Sequence, residues 1–159
     1  MKWNLLMLSG CGAEEELEMR LFLKLNAISA LYGLLFFIEI ELVANIYRIS
    51  RVTGWDINRV DKIVFILNIA IFILSTVLFV YVTYNYMNGM NLRYFSAIMW
   101  FPYLALYIYV LSSCFPITDP GEQPSHGLGI IGMGALIIYP FYIVFINMFG
   151  FTEGKSNSG

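Results

Sequence analysis

Three stretches of this chain carry no charge over the length of a bilayer: Ile63–Tyr84, Tyr94–Phe115 and Leu128–Gly150. Each is close to the roughly 20 residues that an α-helix needs to cross a ~30 Å hydrocarbon core. A fourth run, 21–47, is equally rich in Leu, Ile, Phe and Ala, and it carries Lys24, Glu39 and Glu41. Backbone polar groups in lipid must be satisfied within the segment or by closing a barrel, and four such runs cannot close one, so helices are the only form open to them. The expected fold is an all-α membrane protein, a four-transmembrane-helix bundle with short loops. It forms one membrane domain over residues 1–159, with spans at 21–47, 63–84, 94–115 and 128–150 and a flexible tail at 151–159.

Composition agrees. Of 159 residues, 59% are apolar and 13% charged, against about 45–50% and about 25% in soluble domains. The bilayer is therefore the expected first partner. A formal net charge of -2 leaves no basic footprint for nucleic acid. Cys11 and Cys114 form no CxxC pair, and His126 is the single histidine, so neither a disulfide framework, a metal site nor a bis-histidine haem is expected. No cofactor is expected, and no nucleophile–base pair, phosphate loop or HExxH motif points to an enzyme.

Before the first span, Leu8-Ser9-Gly10-Cys11 resembles the cleavage box of a bacterial lipoprotein. Its apolar core, Trp3–Leu8, is only six residues and is broken by Asn4, below the roughly 7–15 of a secretory signal. The segment is expected to be retained. Glu14, Glu15, Glu16 and Glu18 read as the acidic first turns of a helix, with Glu16 and Arg20 paired at i,i+4. The connections are read as loops: 48–62 with four basic residues, 85–93 as a tight polar turn, and 116–127 as a Pro/Gly loop.

Basic residues near span ends set orientation. Arg48, Arg51, Arg59 and Lys62 lie on one side, and Lys2, Arg20, Lys24, Arg93 and Lys155 on the other. The cluster in one short loop places 48–62 and 116–127 in the cytoplasm and both termini outside.

Ionisable groups inside a span are costly and often functional. Lys24, near a span end, snorkels. Glu41, Asn45 and Arg48 follow i, i+4, i+7 and share one helix face, a polar ladder that rises to the interface. Glu39 lies about 200° from Glu41 around the helix. It has no polar neighbour at i±3 or i±4, so it should seek a partner on another helix or carry a proton. Asn68 is expected at a similar depth. By topology, Glu39, Glu41, Asn68, Ser112, Ser113, Cys114 and His126 gather in one half of the bundle. They form a candidate ion, proton or polar-cavity site, and the plainer reading is hydrogen-bonding glue between helices.

Two further groups stand out. Ser125, Gly127, Gly129, Gly132 and Gly134 open span four and form a candidate surface for helix packing or self-association, since small residues let backbones approach; Pro140 should kink the same span. Trp100, Tyr103 and Tyr107 form a candidate aromatic ligand face, with core packing as the alternative. Asp119, Glu122 and His126 share a loop whose spacing matches no metal motif. Two functions are expected from these features. One is a non-enzymatic membrane protein acting through helix–helix contacts, as an accessory subunit or a self-assembling immunity- or effector-type protein; its partner is another membrane protein or a second copy. The other is a homo-oligomeric channel or proton-coupled transporter that uses Glu39.

Overall fold

The structure, a computed structural model, describes the backbone of residues 2–86, 94–116 and 126–149, and side chains within 15–86, 94–116 and 127–148. The described residues are helical apart from short turns. The helices are α1 (Lys2–Ala44), α2 (Ile46–Thr53), α3 (Ile57–Tyr86), α4 (Ser96–Cys114) and α5 (His126–Phe149). Four segments are long and apolar enough to cross a membrane: Glu15–Ala44 (30 residues), Ile57–Tyr86 (30), Ser96–Cys114 (19) and Gly127–Met148 (22). At 1.5 Å per residue even the shortest spans about 28 Å. Their outer faces remain apolar, as Leu74 (69% exposed) and Phe141 (71% exposed) illustrate.

The element boundaries differ from the expected spans for identifiable reasons. The acidic segment 14–20 does not start a helix; α1 already runs from Lys2, so these glutamates lie in its interior, with Arg20 bonded to Glu16 at 2.6 Å. At the other end, α1 bends at Asn45 (φ -97, ψ 11) rather than continuing to 47. Hydrogen bonding persists through the bend, from Asn45 N to the Glu41 carbonyl at 3.0 Å and from Ile49 N to the Asn45 carbonyl at 2.8 Å. Most of the expected loop 48–62 is therefore helix. Its turn is three residues long. Gly54 adopts φ 70, the left-handed conformation that a glycine tolerates at a helix C-terminus, and Asp56 accepts from Asn58 N at 3.1 Å, capping α3. The expected turn 85–93 loses Asn85 and Tyr86 to α3, and its remainder lies outside the described residues. So do 117–125, including Asp119, Glu122 and Ser125, and the tail 151–159.

Cross-helix contacts fix the arrangement. Asn26 meets Tyr103 and Ala30 meets Tyr107, so α1 and α4 run parallel. Tyr32 stacks on Phe79 and the Glu39 carbonyl meets Asn68, so α1 and α3 are antiparallel. Thr76 meets Tyr142, joining α3 to α5, and Ser96 meets Asn147, joining α4 to α5. Going round the bundle the order is α1, α3, α5, α4. Successive helices α3 and α4 make no contact among the described residues. The most extensive pairing is α1 on α4. Gly33 is its cause: a Cβ there would stand 2.9 Å from the Trp100 carbonyl oxygen and 3.1 Å from Leu104 N. Only a residue without a side chain allows that approach.

The core lies toward one end. Tyr32, Phe36, Phe79, Trp100, Tyr139, Ile143 and Ile146 are buried together. Trp100 sits edge-on to Phe36 (centroids 5.3 Å) and Tyr139 (4.8 Å), geometries that aromatic rings favour. Pro102 and Pro140 both lie inside helices, and each removes one backbone donor. The contacts that bring α4 and α5 together, Ser96–Asn147 and Trp100–Tyr139, both precede Pro102 on α4 and flank Pro140 on α5.

Candidate functional site

Toward the α2–α3 turn the described residues leave the bundle under-filled. Among them, three openings surround the C-terminal half of α1. The largest, about 500 Å³, lies between α1–α2, the start of α3 and the start of α5, with Tyr47, Asn58, Asp61 and Gly127 on its walls. A second, about 330 Å³, lies between α1–α2 and the end of α4 and is lined by Glu41, Asn45, Arg48, Leu111 and Phe115. A third, about 90 Å³, is a crevice between α1, α4 and α5, bounded by Phe36, Ile40, Glu41, Leu104, Gly132 and Leu136.

The small residues of α5 sit beside these openings. Gly132 falls on the stripe of α5 that continues, one turn at a time, through Leu136, Tyr139 and Ile143, which pack on the core. By register it faces the bundle. Yet nothing lies within 4 Å of the position a Cβ would take at Gly129, Gly132 or Gly134. Contacts among the described residues therefore do not require these glycines, in contrast to Gly33. Gly127 lines the largest opening.

The acidic pair of α1 divides as the helical geometry requires. Glu41 turns toward α4. Asn45 Nδ2 donates to its carboxylate at 2.8 Å and to its carbonyl at 2.8 Å, and Arg48 lines the same groove with its guanidinium 6.0 Å from the Phe115 ring centroid. The Glu41–Asn45 part of the expected ladder is formed. Glu39 turns toward α3 and α5. Asn68 does reach it, but through the backbone: Asn68 Nδ2 donates to the Glu39 carbonyl at 3.4 Å. The Glu39 side chain, half-buried, accepts no hydrogen bond and forms no ion pair among the described residues.

Ser112, Ser113 and Cys114 do not join the polar cavity. Ser112 and Ser113 are exposed and donate to the carbonyl of Tyr109 at 3.0 and 2.8 Å, since a serine in a helix readily bonds back one turn. Cys114 is exposed as well. His126 begins α5, and its side chain lies outside the described residues.

The aromatic face of α4 is taken up by α1, not by an open site. Trp100 is 2% exposed and donates to the Ala97 carbonyl at 2.9 Å. Tyr103 donates to Asn26 Oδ1 at 2.8 Å and Tyr107 to the Ala30 carbonyl at 3.2 Å. The reason is Gly33, which draws the two backbones together and closes the space a ligand would need. Gly33 and Asn26 were not among the residues singled out from sequence. The available signal was the pair Ser29 and Gly33, four apart, the same small-residue spacing sought in span four. Among the described residues no group of three or more His, Cys, Asp or Glu is placed to hold a metal.

Comparison with protein-family models, with curated proteins and with solved structures found no match to this chain.

Proposed function

We propose that this chain is a multi-pass membrane protein without catalytic activity, which works by receiving a helix of another membrane protein, or of a second copy, in the crevice between α4 and α5. The single observation that carries this reading is Gly132. It lies on the core-facing stripe of α5, bounds an apolar hole, and has no neighbour within 4 Å of its missing Cβ. A hole of that kind receives one knob side chain from a neighbouring helix, and a small residue at its rim lets the two backbones approach. The four apolar helices supply membrane insertion. The basic cluster Arg48, Arg51, Arg59 and Lys62 supports a cytoplasmic α2–α3 turn with both termini outside.

The test is blue-native electrophoresis after mild extraction, comparing wild type with Gly132→Leu and Gly129→Leu. The reading expects wild type in an assembly larger than one chain and both variants shifted toward the monomer. A wild-type monomer, or assemblies that both variants leave unchanged, contradicts it.

A further inference from the structure

Glu39 faces a seam whose tyrosine donors are committed elsewhere. From α3 comes Asn68. Its Nδ2 is given to the Glu39 carbonyl, and its Oδ1 is enclosed with no hydrogen-bond partner. From α5 come Tyr139 and Tyr142, near enough for Glu39 to act on both electrostatically. The Tyr139 hydroxyl donates to the Tyr32 carbonyl at 2.8 Å. The Thr76 hydroxyl donates to the Phe72 carbonyl at 2.7 Å, so its oxygen can only accept from Tyr142, 2.8 Å away. Both tyrosine protons are thus spent away from Glu39. Glu41, two residues on, points to the opposite side. No Lys or Arg is paired with Glu39 among the described residues.

The seam therefore holds one carboxylate and one enclosed amide oxygen, and among the described residues no positive charge is paired with either. Both are costly to leave in apolar surroundings. We propose that Glu39 and Asn68 together bind a small monovalent cation, a proton or an alkali-metal ion, between α1 and α3. A proton on Glu39 turns the carboxyl into a donor for Asn68 Oδ1. An alkali ion takes the same two oxygens as ligands. Either neutralises one negative charge with one positive charge. A divalent ion is disfavoured, since a single carboxylate leaves it a net charge in lipid.

The experiment uses the full chain in nanodiscs. The unfolding midpoint is followed as Na+ replaces N-methylglucamine at constant ionic strength, and separately as pH is lowered. A ligand that binds the folded state raises that midpoint. In wild type and Glu41→Gln the midpoint should rise in at least one arm. A Na+ response identifies the alkali ion, and a pH response alone identifies the proton. The response should be lost in Glu39→Gln and reduced in Asn68→Leu. A wild-type midpoint flat in both arms, or a response that survives in Glu39→Gln, overturns the proposal. The infrared carbonyl signal of a protonated carboxyl, read in Glu41→Gln, gives a result that needs no variant at position 39. A signal that grows as pH falls, or that added Na+ suppresses, supports the site, and its absence together with a flat Na+ arm refutes it.

Discussion

A methyl group added at Gly33 meets backbone at 2.9 Å, whereas one added at Gly132 meets nothing within 4 Å. Backbone cannot swing aside as a side chain can, so Gly33→Ala forces α1 and α4 apart and should cost about 1–3 kcal/mol, the usual penalty of overpacking. Gly132→Ala should keep or raise stability, by at most about 1 kcal/mol from helix propensity. Unfolding of the two variants in mixed detergent micelles checks both signs. Polar contacts give a second expectation. Tyr103→Phe removes a hydrogen bond to Asn26 and should destabilise by roughly 0.6–2 kcal/mol in the same assay, while the ring still packs on α1. Legibility from sequence was uneven at this scale. Asn45 and Glu41 could be paired because a helix brings i and i+4 together whatever surrounds it. Gly33 could not be singled out, because its meaning depends on the α4 backbone, about 70 residues further on, arriving beside it. Ser112 and Ser113 were misplaced for the converse reason: their own Tyr109 carbonyl satisfied them before any other helix could.

Helices were easier to read than their ends. An uncharged run of about 20 residues has one stable form in lipid, so α3, α4 and α5 were legible from composition alone. The region 46–56 was harder, since charge there indicated a loop while the chain continued as α2. What stops it is local: Gly54 in the left-handed conformation, then Asp56 as the cap of α3. Asp56→Ala should cost about 1 kcal/mol, typical of a lost N-cap. Denaturant titration read from Trp55, which sits in that turn, checks it. Helix neighbourhood was not legible at all. A short connection between spans two and three suggests that they pair, yet α3 and α4 do not touch among the described residues. The Gly33 contact and the ring cluster around Trp100 and Tyr139 outweigh chain proximity.

For the molecule as a whole, one half is closed by stacked rings and the other is left open around α1. The aromatic cluster fills the first half. The second half has openings of about 500, 330 and 90 Å³ that the described residues leave unfilled. The account holds that another helix completes the packing. A diazirine-bearing leucine analogue in place of Leu136, which lines the same crevice as Gly132, tests this most directly in intact membranes, with the same residue at 138, where Ile138 is 66% exposed, as the lipid-facing reference. The account predicts adducts to a second protein chain from position 136 and lipid adducts from position 138; no adduct to a second chain from position 136 contradicts it.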